Sequence, residues 1–282
     1  MNIINSIINL VNEPVIHLVT EYKGNNRANN AGDALEEYIK DLFAGTFKMN
    51  EADRLEKLSQ VFSYLGNDSN PPDAMIRGGD AIEVKKIETE GSALALNSSY
   101  PKHTIKASSP MISRACKEAE SWTEKDMIYA VGVVDKNTND IKRLTMVYGL
   151  DYCATDEIYS RIKTKIKEGV ETIPDIEFAE SKELGHINRV DPLGITYMRV
   201  RGMWGIENPW RAFSYAYNDN NSKFDFMCIV NKAKWQQFDN TEELISLAKV
   251  KDNLSINDIK VKNPDNPAQL NEAKLITFKI KE

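Results

Sequence analysis

Residues 71–86 read PPDAMIRGGDAIEVKK, an aspartate followed across a glycine turn by a Glu-x-Lys triplet on an apolar run. The second half alternates and carries Ile82 and Val84, so it reads as a strand. Side chains on a strand repeat with period two, which puts Glu83 and Lys85 on one face and Val84 on the other. A carboxylate and an ammonium then stand side by side. If the Gly78-Gly79 turn brings Asp73 alongside, the three form a site for a divalent cation and an activated water, the chemistry of phosphodiester hydrolysis.

The parity of the turn decides whether this works. A two-residue loop made of the glycines alone would set Asp73 opposite Val84, on the wrong face. A three-residue loop or a bulge shifts the count by one, and the expectation is an odd-length connection between Arg77 and Ala81 that sets Asp73 opposite Lys85. Asp80 lies an odd number of positions from Glu83, faces away and is not counted as a ligand.

Upstream, residues 3–10 are apolar-periodic and read as a helix ended by Asn12-Glu13-Pro14. A polar loop, YKGNNRANN (22–30), holds Arg27, a candidate DNA contact. It leads into AGDALEEYIKDLFAG (31–45), a helix with Leu35, Tyr38, Ile39 and Leu42 on its apolar stripe and Gly45 at its end. Glu37 reads as solvated, whereas Glu36 reads equally as solvated or as pointing to the site. Residues 51–60 form a further helix, and VFSYLGNDSNPPD (61–73) is a strand followed by a loop of turn formers that ends at Asp73.

Downstream, ALALNSSYPK (93–102) is an apolar run ending in Asn97, Ser98, Ser99 and Lys102, small polar donors beside a base that suit phosphate contacts. By itself the segment reads as well as a solvent loop, but its place just after Lys85 favours the functional reading. Residues 113–123 make a short helix. DMIYAVGVVD (126–135) and RLTMVYGLD (143–151) form a central hairpin across the turn KNTND. Residues 156–167 are helical, with Ile158, Ile162 and Ile166 on one stripe and lysines on a solvated face. In ITYMRVRGMWGIENPWRAF (195–213), Arg199 and Arg201 project in one direction, and arginine forks match guanine in the major groove. Asn208 joins the DNA-binding candidates, while Trp204 and Trp210 read as core. Residues 224–230 are a strand, 232–250 mostly helix, and 262–280 a loop and terminal strand. The order of elements implies an α/β or α+β core with a mixed sheet, and no linker or repeat divides residues 1–282 into more than one domain.

Composition narrows the classes. The chain is 41% apolar and 28% charged, as expected of an ordinary globular protein. Its opening segment is broken by asparagines and Pro14 and reads as neither signal peptide nor membrane span. Cys116, Cys153 and Cys228 lack metal-ligand spacing and read as free thiols in a reducing cytosol; His17, His103 and His186 have no neighbours at ligand spacing either. The net charge of −6 does not exclude nucleic acid, because binding follows the local arrangement of Lys and Arg rather than the total.

These residues resemble type II restriction endonucleases of the PD-(D/E)XK superfamily, specifically the NgoPII type. The resemblance is carried by NNRANNAGDALEEYIKDLF (25–43), FSYLGNDSNPPDA (62–74), GDAIEVKKIE (79–88), ALALNSS (93–99), VYGLDYCA (147–154) and RVRGMWGIENPW (199–210). It implies a restriction-endonuclease-like mixed β-sheet flanked by helices. It also implies Mg2+ dependence, a homodimer that cuts both strands of double-stranded DNA to leave 5′-phosphate ends, and cleavage within the palindrome GGCC. Asp73 matches the motif aspartate, Glu83 the second acid, Lys85 the lysine and Glu36 the helix glutamate. The metal set is then Asp73, Glu83, the Val84 backbone carbonyl and Glu36. A cytoplasmic bacterial enzyme with a cognate DNA methyltransferase as genetic partner follows from the same likeness. A structure-selective or repair nuclease of the same fold and a non-catalytic DNA-binding subunit are the competing readings.

Overall fold

The structure, a computed structural model, describes residues 1–18, 31–67, 70–181, 184–218 and 222–281. The chain opens with helices α1 (Ile3–Asn12), α2 (Ala31–Ala44) and α3 (Glu51–Val61), then strands β1 (Phe62–Asn67), β2 (Asn70–Ile76), β3 (Ala81–Ile87), β4 (Leu94–Asn97) and β5 (Thr104–Lys106). Helix α4 (Arg114–Glu118), strands β6 (Glu124–Val134) and β7 (Ile141–Tyr148) and helices α5 (Gly149–Tyr152) and α6 (Asp156–Glu171) follow. Next come β8 (Glu177–Glu180), β9 (Gly185–Asn188), β10 (Met198–Val200), β11 (Trp204–Ile206), α7 (Pro209–Ala212) and β12 (Phe224–Asn231). The chain closes with α8 (Lys232–Trp235), α9 (Thr241–Val250), β13 (Leu254–Lys262) and β14 (Leu270–Ile280).

Among the described residues, nine strands make one mixed sheet in the order β1-β2-β3-β6-β7-β12-β14-β13, with β5 paired to β6. β3 runs parallel to β6 and β12 parallel to β7, while the remaining pairs in the sheet are antiparallel. The expected central hairpin is β6–β7. Its sequence is apolar nearly throughout because both faces are covered, so period-two alternation sorts residues between two cores rather than between core and water. Ile128 and Ala130 face a layer with α1, α2, α3 and α9. Met127, Tyr129, Val131 and Val133 face a second layer containing Ile112, Cys116, Tyr152, Trp210 and Phe213. Full burial of each large apolar side chain contributes about 1.5–3 kcal/mol, which makes these two layers the dominant stabilising term.

Local chemistry sets the helix ends. Asn2 caps α1 by accepting the N–H groups of Ile4 and Asn5, satisfying donors that have no partner within the helix. Gly45, at φ +69, terminates α2 in the left-handed region. Between α2 and α3 lies a buried ion cluster in which Arg54 reaches Asp41 at 2.6 Å and Glu37 at 2.6 Å. Gly132 lets α2 approach the sheet, because a Cβ there would lie 2.8 Å from Leu35 Cδ2. Leu35 precedes Glu36, so this close contact sets the distance of Glu36 from β3.

Several elements differ from the sequence reading. Residues 70–73 lie in strand β2 rather than in a loop, and residues 232–250 divide into α8 and α9. Strand β13 was not expected; its outer face is polar and only Leu254 and Val261 are buried. Strands β8, β9 and β10 form a separate three-stranded sheet, and β4 pairs with β11 in a two-stranded ribbon.

Candidate active site

The β2–β3 connection has the expected odd length. Ala74 pairs with Ile82 and Met75 with Ala81, and Ile76 N–H donates to Asp80 O at 2.9 Å, leaving Arg77, Gly78 and Gly79 as a three-residue loop. Gly78 sits at φ +64, in the left-handed region a tight turn needs. The loop begins one residue earlier than expected, so continuing the register places Asp73 across from Glu83 rather than Lys85. Face parity is unchanged. The ladder gives way at this point, and the Asp73 carboxylate accepts the Val84 N–H at 2.6 Å. That bond orients Asp73 toward the Glu83 and Lys85 face.

Lys85 Nζ donates to Glu83 Oε1 at 2.6 Å and to the Val84 carbonyl at 3.1 Å, and lies 4.0 Å from Asp73 Oδ2. Burial, and then the charge of Glu83, push the Asp73 carboxyl up to about 8. Burial works against the Lys85 ammonium, but Glu83 and Asp73 outweigh it and hold the lysine charged above its ordinary range. Glu36 acts electrostatically on both Asp73 and Lys85, so α2 does deliver it to the neighbourhood of the trio. Glu83 Oε2 is buried and has no hydrogen-bond partner among the described residues.

That unpartnered oxygen, in a set of oxygen donors carrying excess negative charge, fits a hard divalent cation. Among the described residues no three His, Cys, Asp or Glu side chains are arranged as a metal cage. Mg2+ does not require one, since it binds through one or two carboxylates and keeps several waters. Asp73 and Glu83 therefore suit Mg2+ better than zinc.

These groups open into a cleft of about 810 Å³. Asn97, Ser98, Ser99, Arg199 and Arg201 line it together with Asp73, Glu83 and Lys85. Arg201 donates to Ser98 Oγ at 3.1 Å, joining two segments a hundred residues apart. Lys102 and Asn208 are placed differently from expectation. Lys102 is 7% exposed, packs its ammonium on the Tyr100 ring and lines a separate pocket with Asp156. Asn208 is fully buried, donates to the carbonyls of Glu90 and Ser92 and caps α7. It has no surface to offer DNA. Arg27 lies outside the described residues. Trp210 is core as expected, and Trp204 packs edge-on against Tyr100 and Tyr159.

Two contributors escaped the sequence reading. His186 lines the cleft because it pairs across from Arg199; only knowledge of the β9–β10 register could have found it. Gly66 on β1 backs Asp73: a Cβ there would come within 2.7 Å of Asp73 Cα and of the carbonyls of Pro72 and Asp73. The backbone cannot yield as a flexible side chain would, so Gly66→Ala must displace Asp73. A misplacement of about 1 Å costs on the order of 10²-fold in rate, and steady-state kinetics should show that loss in kcat with KM little changed.

Asp80, excluded on parity, is indeed elsewhere. It accepts from Tyr148 Oη at 2.7 Å and from Lys234 Nζ at 2.6 Å, and Lys234 also holds Asp126 at 2.6 Å.

A mixed sheet bearing two acids and a lysine at the mouth of an arginine-walled cleft has the chemistry of an endonuclease. The chain belongs to the NgoPII restriction endonuclease family, whose family model matches residues 1–262. It is 60% identical over 281 residues to the type II restriction enzyme NgoPII of Neisseria gonorrhoeae, covering 99% of this chain and 100% of that protein. No solved structure matches it.

Proposed function

We infer that the chain is a type II restriction endonuclease that hydrolyses double-stranded DNA at a palindromic site with Mg2+. The observation that carries this reading is the sharing of one cleft by Asp73, Glu83 and Lys85 with Arg199 and Arg201. The family match and the name of the 60% identical relative support it.

Asp73, Glu83 and the Val84 carbonyl would hold Mg2+, with Glu36 binding directly or through water. The bound ion would polarise the scissile phosphate and acidify a water. Lys85, held protonated by its acidic neighbours, acts as a positioned positive charge that orients this water and offsets charge growing on the phosphate. The Val84 N–H fixes the Asp73 carboxylate so that its aim does not depend on rotamer freedom. In-line attack leaves 5′-phosphate and 3′-hydroxyl ends.

Arg199 and Arg201 read guanines, which suits the site GGCC. A palindrome calls for a two-fold homodimer, since protein and DNA symmetry then coincide. A bacterial cytoplasmic location with a protecting DNA methyltransferase completes the reading.

Plasmid digestion with Mg2+ followed by sequencing of the fragment ends tests it. Discrete ends within one palindrome are expected; scattered ends or a preference for branched DNA would overturn it. Arg199→Ala or Arg201→Ala should cost about 1–3 kcal/mol of discrimination, read as the ratio of cleavage at the cognate and singly mismatched sites. An unchanged ratio in both variants rejects the base-reading role.

A further inference from the structure

Strands β9 and β10 and the loop 189–197 between them project as an arm whose tip is apolar. Val190, Leu193, Ile195, Tyr197 and Met198, five of the exposed large apolar side chains, fall within nine residues. Leu193 is 81% exposed and Ile195 77%. Single exposed apolar residues are ordinary, but a cluster of them marks a contact surface.

The tip is also built to hold its shape. The Asp191 carboxylate accepts the N–H groups of Leu193 at 2.9 Å and Thr196 at 2.6 Å. Gly194 N–H closes a turn onto Asp191 O at 2.8 Å, and Val190 N–H pairs with Thr196 O at 3.0 Å. Asp191-Pro192-Leu193-Gly194 carries aspartate, proline and glycine at the positions a type I turn favours. Leu193 is thus presented from a fixed corner with Ile195 close behind it.

Two features say what covers this tip. The first is continuity with the cleft. Tyr197, Arg199 and Arg201 alternate onto one face of the arm, where Arg199 pairs across from His186; His186 and both arginines line the cleft with Lys85. At about 3.3 Å per residue, Tyr197 stands about 13 Å beyond Arg201, more than the depth of about 8.5 Å of a major groove, which admits a two-stranded ribbon. The second feature is charge. Arg199 and Arg201 stand on the cleft-facing side of the arm with Lys85, while Arg189, nearer the tip, lies 4.0 Å from Glu177 of β8. The carboxylate of Asp191 is already taken up in the turn. An arginine-lined cleft that continues into an apolar tip complements a duplex, which offers phosphates outside and base faces within.

We propose that the tip of the β9–β10 arm is an apolar wedge, in which Leu193 and Ile195 press into a base step of the duplex held in the cleft and unstack it. Apolar side chains inserted at a base step exchange stacking energy for a bent duplex that meets more of the protein surface. Leu193 and Ile195 are specificity-determining residues in this sense, since steps differ in how readily they unstack. The inference rests on the reading of the cleft as the DNA site.

The test uses the full-length chain in the Lys85→Ala background with Mg2+, where cutting is slow enough to measure binding. The probe is a duplex carrying the mapped cleavage site, with 2-aminopurine placed at successive steps. The native tip should raise 2-aminopurine fluorescence at one step. Leu193→Ser with Ile195→Ser should abolish that rise and weaken binding at least about 10-fold, whereas Leu193→Met should retain both. Melting temperature and oligomeric state should not move, as both side chains are solvent-facing. Unaltered fluorescence and affinity in the double variant would overturn the wedge, and so would a change of oligomeric state, which would assign the tip to a second copy of the chain. Failure of the native-tip protein to bind the duplex at all would instead overturn the reading of the cleft, and the wedge with it.

Discussion

Lys85→Ala is expected to lower the rate of DNA cleavage by about 10²–10³-fold, the usual cost of removing one group placed where charge develops, while leaving duplex binding nearly intact. Lys85 is not a surface base whose charge is one of many. It lies within hydrogen-bond reach of Glu83 and the Val84 carbonyl and is held charged by the acids around it. On the proposed assignment its removal would take a positive charge away from the reacting phosphate and leave Arg199 and Arg201 of the cleft in place. The split between kcat and binding is therefore diagnostic, and equal losses in both would point to collapse of the site instead. Divalent-cation binding, followed by calorimetry, should survive the substitution, because the ammonium competes with a cation for Glu83 and the Val84 carbonyl. Loss of cation binding would contradict the assigned roles.

The second large effect is expected on stability. Lys234→Met should destabilise the fold by about 3–5 kcal/mol, the cost of leaving buried charge without its partner, and lower the melting temperature on the order of 10 °C. Lys234 bridges Asp80, at the start of β3, and Asp126, in β6, each at 2.6 Å. Asp80 is buried and also accepts from Tyr148 Oη. Without the lysine, the carboxylates of Asp80 and Asp126 face one another with their shared cation gone, and Asp80, the more buried, loses most. Adding Asp80→Asn to Lys234→Met should recover part of the loss, and thermal melts of the two variants measure it. An unchanged melting temperature in Lys234→Met would mean that water already screens the pair.

The sequence was legible where period and spacing act locally. The β6–β7 run, helix α2 and the Glu83-Val84-Lys85 face all follow from alternation or helical spacing, and turn parity foretold that Asp73 and Glu83 share a side. It could not say which three residues form the loop, so the residue facing Asp73 shifted from Lys85 to Glu83. Lys102 and Asn208 depart from expectation for one reason: closeness along the chain to the cleft residues does not give side chains a common direction. Asn208 turns inward to satisfy two carbonyls and a helix end, a need set by loop packing and invisible in a linear reading. Gly66 was hidden by the opposite problem. Its importance lies in the side chain it lacks, and that shows only once β1 is laid against β2.

The β4–β11 ribbon bears on how the arm behaves. Leu94 and Leu96 of β4 are buried in the second core layer, and β11 is hydrogen-bonded to β4 directly below Arg201. Between residues 189 and 199 no side chain is buried. The arm is therefore tied down at its base by the Arg201–Ser98 bond and by the pairing of β9 with β8, while the tip, residues 189–197, has no buried side chain. Segments with few buried contacts open most readily, so local opening is expected at residues 189–197 before the β8–β9–β10 sheet that carries them. Ordering of mobile groups opposes binding, so on the proposed reading a duplex would meet a larger entropic cost at the tip than at the sheet-paired base of the arm.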